Sequence, residues 1–179
     1  VDVKGIQTIL WDYYLYDINR LSTARYFFSG NANDSMANNN HGTATNVSYK
    51  WSLVGNAGVF NWSSSKVVIP HSASFTFWNQ LNIWFRVTLN NLNNNQWFVS
   101  KTASNIPAPF DSYLFGWKIT FLVGNGTLNQ SISSNLSLVA NEEYSVCLIR
   151  SNTQIKVYIN GKLDTTATIT TTLWDTGQT

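Results

Sequence analysis

Apolar and polar residues alternate with a period of two along much of this chain. In Leu81–Leu89, Leu81, Ile83, Phe85, Val87 and Leu89 share one face, and Asn82, Trp84, Arg86 and Thr88 share the other. Such alternation marks a strand with one buried side. In the stretch Glu143–Thr168, the apolar segments Val146–Ile149 and Ile155–Ile159 are parted by a Ser-Asn-Thr turn, and Asn160-Gly161 follows. Ile155, Val157 and Ile159 alternate with Lys156 and Tyr158. Asn-Gly supplies two residues that tolerate positive φ, as a two-residue type I′ hairpin loop requires. The pattern predicts an antiparallel meander.

Elsewhere the same reading predicts short strands at Ala24–Ser29, Thr43–Trp51, Gly58–Trp62, Lys66–Ile69, Ser74–Trp78 and Gln96–Ser100. Tyr113–Val123 reads as one long apolar strand, and Thr127–Val139 as a more polar one. Gly5–Tyr16 reads as a strand, although Ile6, Leu10, Tyr13 and Asp17 also keep a helical spacing. The Asn-rich stretch Asn31–His41 is predicted to be a loop, because Asn and Asp favour turns. Lys101–Asp111, with Pro107 and Pro109, is predicted to be one too, because proline cannot donate to a sheet ladder. About a dozen short strands without a helical segment predict an all-β, two-sheet antiparallel sandwich.

Composition narrows the function classes. The chain has 179 residues, of which 44% are hydrophobic and 15% aromatic, enough for a single-domain core. Charged residues make up only 11%, roughly half the usual share. Polarity comes instead from 23 Asn, 19 Ser and 18 Thr. A net charge of +2 without a Lys/Arg cluster argues against nucleic acid. No apolar run is long enough to span a bilayer as a helix. A charge-poor surface of this kind suggests an extracellular, cell-surface or virion-surface protein. The single cysteine, Cys147, sits in an apolar segment and reads as a small buried hydrophobe.

Several segments taken in order resemble the laminin-G-like branch of the concanavalin A-like lectin/glucanase superfamily. They are RYFFSGNANDSMANNNHGTATN (Arg25–Asn46), GNAGVFNWSSSKVVIPHSASF (Gly55–Phe75), LNIWFRV (Leu81–Val87), QWFVSK (Gln96–Lys101) and the hairpin Ser145–Asp164 with its Y-I-N-G-K-L-D. The resemblance covers about residues 24–170. It implies a concanavalin A-like jelly-roll over 24–179 and ligand sites on a concave face or on rim loops. Residues 1–23 then form an N-terminal extension or edge strand. The family closes with a further strand after the hairpin, so Gly5–Tyr16 is expected to fill that edge, in its own chain or in a neighbour.

Chemistry follows from what is missing. Of nine acids, the only glutamates, Glu142 and Glu143, are adjacent and would point to opposite faces of a strand, which does not suit the paired carboxylates of a glycosidase. His41 and His71 lie in turn-like contexts without a nucleophile motif. No catalytic residue is assigned. Carbohydrate binding would use exposed aromatic faces beside amides: Trp84 first, with Asn82 and Arg86, then Trp97, Tyr113 and Trp117, although an individual Trp in such a fold is more often core. The resemblance implies Ca²⁺ as the one candidate cofactor, through loop oxygens of Asp34, with Asp111 and Asn125 as further choices. Sequons occur at Asn33, Asn46, Asn61, Asn125, Asn129 and Asn135, with Asn125 expected to be the most accessible. Chance alone gives about five from this composition, so the count carries little weight.

The first functional reading is a non-enzymatic glycan-binding or adhesion module whose partner is a glycan or surface glycoprotein. The second is a structural subunit of a virion or surface filament, a homo-oligomer assembled through an open sheet edge with strand exchange by the N-terminal segment.

Overall fold

The structure is a computed structural model that describes residues 22–170, apart from 53–54, 62, 76–79, 93–95, 104–105 and 126. It divides into two compact units, Val1–Phe75 and Thr76–Thr179. Gly5–Tyr16 and its expected edge-filling role lie outside the described residues.

The first unit contains two small antiparallel ribbons. Strand β1 (Thr43–Thr45) pairs with β4 (Lys66–Val68), and β2 (Ser48–Ser52) pairs with β3 (Gly55–Val59). The expected single strand Thr43–Trp51 is broken because Asn46 adopts φ 52°. Ala24–Ser29 is not a strand either. It contributes only a Tyr26–Asp34 bridge, and Phe28 sits at φ 54°. Asp34 organises this loop instead, since its carboxylate accepts N–H bonds from Arg25 (2.8 Å), Met36 (2.9 Å) and Asn40 (3.0 Å). Tyr26 donates its hydroxyl to the Asn40 carbonyl at 2.6 Å. Its pKa is pushed up to about 12 by burial and by Asp34. Gly42 is needed where it stands, because a Cβ there would lie 2.5 Å from Val67 Cγ1. Of the predicted strand Ser74–Trp78, Ser74 and Phe75 belong to a single 3-10 turn, Ala73–Phe75, and the rest lies outside the described residues.

The second unit is the antiparallel sandwich that the alternation predicts. One sheet has the order β12-β11-β10-β5 and the other β6-β7-β8-β9. Their ranges are β5 Gln80–Thr88, β6 Gln96–Ala103, β7 Ile106–Phe115, β8 Lys118–Gly124, β9 Asn129–Ser133, β10 Glu143–Ser151, β11 Gln154–Ile159 and β12 Lys162–Thr168. Leu81, Val146, Leu148, Ile155, Val157 and Ile159 from one sheet, and Phe110, Leu114, Ile119, Phe121 and Val123 from the other, form a single buried cluster. Phe85 and Phe98 meet across it with centroids 5.3 Å apart. This is the all-β jelly-roll sandwich. Asn160 and Gly161 carry φ 51° and 77°, as the Asn-Gly loop demands.

Three expectations fail in this unit. Tyr113–Val123 is two strands, because Gly116 and Trp117 adopt φ 56° and 64° and fold it into a tight hairpin. Lys101–Asp111 is not a loop: β6 runs into it and β7 passes through both prolines. The β7–β8 ladder begins only at Phe110–Val123, and the β6–β7 register shifts between Lys101 and Ala103, so neither Pro107 nor Pro109 occupies a paired position in either ladder. Thr127–Val139 holds only the short β9, after which Ser134 donates its N–H to the Ile119 carbonyl and turns the chain away.

Candidate functional site

Because the inward faces of the two sheets share one core, their outward faces point in opposite directions, and each carries an aromatic cluster. On the first sheet, β5 directs Asn82, Trp84 and Arg86 outward. Pairing sets Cys147 beside Trp84, Ser145 beside Arg86 and Ile149 beside Asn82. The Trp84 indole N–H donates to Ser145 Oγ at 3.2 Å. The Arg86 guanidinium lies 5.7 Å from the Trp84 ring centroid and 3.8 Å from the Glu143 carboxylate. Cys147 is not a core residue as expected. It is half-buried on this outward face and its thiol donates to Asn82 Oδ1 at 3.2 Å. Burial raises its pKa, which keeps it a thiol and a poor nucleophile.

The second outward face is richer. Trp97 on β6 pairs with Tyr113 on β7, their rings 6.0 Å apart and tilted by 37°. The same row continues through Thr120 on β8 and Ser133 on β9, whose hydroxyls are 2.9 Å apart. One step along the strands, Ser100, Asp111, Leu122 and Ser131 form the next row. Ser100 donates its hydroxyl to Asp111. Burial raises the Asp111 pKa, and the Ser100 bond partly offsets this. One step the other way, Phe115 pairs with Lys118, and Gly116-Trp117 forms the hairpin tip. An aromatic pair flanked by a carboxylate and by hydroxyls can hold a molecule with one C–H-rich face and several O–H groups.

The described tryptophans contradict the expectation that a Trp here is core. Trp51, Trp84, Trp97 and Trp117 are 83%, 60%, 61% and 59% exposed, although tryptophan is highly buried on average. A profile of the Laminin_G_3 family, of the concanavalin A-like lectin/glucanases superfamily, matches residues 55–179, well over half of the chain. The chain belongs to this superfamily. The matched span begins at Gly55 and does not reach Arg25–Asn46.

No curated protein sequence matches the chain. Solved structures of similar fold do. The binding domain of Paraclostridial Mosquitocidal Protein 1 has a TM-score of 0.68 at 14% identity, covering 80% of this chain and 39% of that one. Domain 4 of AbnA, a GH43 extracellular arabinanase from Geobacillus stearothermophilus solved in complex with arabinotriose, has a TM-score of 0.67 at 20% identity, covering 86% and 78%. A botulinum neurotoxin type C structure, whose cell entry depends on two ganglioside molecules, has a TM-score of 0.65 at 16% identity, covering 87% and 40%. The chain thus spans about two-fifths of the mosquitocidal-protein and neurotoxin chains. At these identities the likeness is one of fold.

Within this superfamily sandwich, the six residues singled out for ligand binding separate. Asn82, Trp84 and Arg86 fall on one outward face, and Trp97 and Tyr113 on the other, with Trp117 at the tip of that sheet's hairpin. The oxygens proposed for Ca²⁺ are held by hydrogen-bond donors. Asp34 accepts the three backbone N–H bonds above, Asp111 accepts from Ser100, and Asn125 Oδ1 accepts from the Thr127 and Leu128 N–H groups at 3.1 and 2.8 Å. These oxygens fit amide and hydroxyl capping better than a shared cation. Among the described residues, no three His, Cys, Asp or Glu side chains gather. Among the sequons, Asn125 is half-buried, whereas Asn33, Asn46, Asn61, Asn129 and Asn135 are exposed, which reverses the expected order. Sequence reading missed Ser100, Thr120, Ser133 and Phe115 as neighbours of Trp97. Only placing the turn at Gly116-Trp117 aligns them.

Proposed function

We propose that the chain is a non-enzymatic carbohydrate-binding module acting outside the cell, with its principal site on the outward face of the β6-β7-β8-β9 sheet. The observation that carries this is the exposed Trp97, packed against the half-buried Tyr113 and set beside Asp111–Ser100 and Thr120–Ser133. A sugar ring presents one face of C–H groups, which stack on an aromatic ring, and a rim of hydroxyls, which need acceptors and donors. Asp111 and the exposed hydroxyls of Ser100 and Ser133 supply these, while the buried Thr120 hydroxyl holds Ser133 in place. The partly buried carboxylate strengthens each bond it accepts, because the local dielectric is lower than that of water.

Support comes also from the structural neighbours, which include the binding domain of a mosquitocidal protein, a neurotoxin whose cell entry depends on gangliosides and a domain holding arabinotriose. The charge-poor surface and the glutamate arrangement agree with a binding rather than a hydrolytic role.

The test is a titration with arabinotriose, xylotriose, cellotriose and sialyllactose, for the wild type and Trp97→Ala. At least one sugar is expected to bind, and Trp97→Ala is expected to weaken it tenfold or more, about 1.4 kcal/mol, with an unchanged circular dichroism spectrum. Binding of none, or equal binding by the variant, contradicts the assignment.

A further inference from the structure

We propose that the module is bivalent, with a second carbohydrate site built on Trp84 on the opposite outward face, so that one sandwich can bridge two glycan chains. The inference rests on the carbohydrate reading above and extends it.

Trp84 is 60% exposed yet held in orientation. Its indole N–H is bound to Ser145 Oγ, and Arg86 lies against its ring while meeting Glu143. An aromatic ring fixed in this way loses little side-chain freedom when a ligand stacks on it. The sheet provides a floor around it, because register sets Trp84, Cys147, Tyr158 and Leu163 in one row across four strands. Asn82 and Arg86 flank the ring one two-residue step away on either side, about 6.6–6.8 Å along a strand. That spacing suits hydrogen bonds to the rim of a single sugar ring. The Asn82 amide N–H₂ takes no part in the contact with Cys147, which uses its oxygen.

The charges select the ligand class. Arg86 and Glu143 offset one another, so an acidic sugar would meet Glu143 and an amino sugar would meet Arg86. A neutral sugar ring can accept from Arg86 and donate to Glu143 at once. The two platforms lie on faces turned away from each other, so a single short glycan cannot reach both.

The experiment measures stoichiometry with the tightest-binding neutral sugar among arabinotriose, xylotriose and cellotriose. The wild type is expected to take two per chain, Trp84→Ala and Trp97→Ala one each, and the double variant none. With the corresponding polysaccharide, the wild type is expected to form a turbid, cross-linked phase that Trp84→Ala abolishes. Asn82→Ala, a milder change, is expected to weaken one of the two binding events. Circular dichroism and sedimentation confirm that each variant is folded and that its oligomeric state is unaltered. One sugar per chain in the wild type, abolished by Trp97→Ala, would overturn bivalency and leave the principal site standing. Two per chain in Trp84→Ala would overturn it as well. A wild-type dimer dissociated by Trp84→Ala would assign this face to a second copy of the chain instead. Binding of no neutral sugar would overturn the second site as described, and binding of no sugar at all, sialyllactose included, would overturn both sites.

Discussion

Asp111 shows how a single residue changes meaning once its neighbours are known. In the sequence it is a loop carboxylate near two prolines, fit for a metal. In the sandwich it is a strand residue, paired with Ser100 and half-buried beside Tyr113. Its folded pKa is raised above the ordinary 3.8, chiefly by burial. Its protonated form therefore favours the folded state, and the contribution is lost as pH climbs from the unfolded pKa through the raised folded one. Asp111→Asn keeps an acceptor for Ser100 and removes the buried charge. Its melting temperature relative to wild type is expected to rise as pH climbs from below the ordinary carboxylate pKa through the raised folded one, and then level off. A difference independent of pH would contradict the buried carboxylate. Sugar binding at neutral pH is expected to weaken in the same variant, because an amide accepts less strongly than a carboxylate.

At the scale of elements, alternation was a sufficient guide wherever one face is buried. Strand β5 and the β10–β11–β12 meander occur where Leu81–Leu89 and Val146–Ile159 place them. It failed where a turn is written in residues that do not announce it. Nothing in YLFGWKITFLV beyond one glycine marks a hairpin, and Trp117 occupies a left-handed conformation that bulky residues rarely adopt. The cross-strand rows of the principal site were therefore illegible, since reading through Gly116-Trp117 as one strand misplaces every residue beyond it. The hairpin has a measurable signature. Trp117→Asn is expected to stabilise the fold by about 0.5–1 kcal/mol, because Asn tolerates this region better. Gly116→Ala is expected to cost about 1 kcal/mol through backbone strain alone, since a Cβ there meets nothing within 4 Å. Leu148→Ala, at the centre of the core, is expected to cost far more, about 2–5 kcal/mol. Denaturant unfolding of the three variants ranks them directly.

At the scale of the molecule, two expectations bear on partners. Each residue proposed for calcium already accepts a hydrogen bond within the fold, and among the described residues no three acidic, His or Cys side chains gather, so EDTA is expected to leave both the melting temperature and sugar binding unchanged. A loss restored by calcium would reinstate a metal. The assembly reading needs an inviting sheet edge. Among the described residues, β12 pairs only with β11. It carries Lys162, its Asp164 is engaged by the Asn135 and Leu136 N–H groups, and its ladder with β11 is interrupted at Val157–Tyr158, features that discourage edge-to-edge pairing. Sedimentation at high concentration is accordingly expected to show no concentration-dependent growth into filaments. The central claim, that the Trp97–Tyr113 face holds a sugar, is tested most directly by mapping amide and indole NMR shifts during titration with the tightest-binding trisaccharide. The largest shifts are expected at Trp97, Ser100, Asp111, Tyr113 and Thr120. Shifts that spare this face and fall only on Trp51 or on the first unit's loops would contradict it.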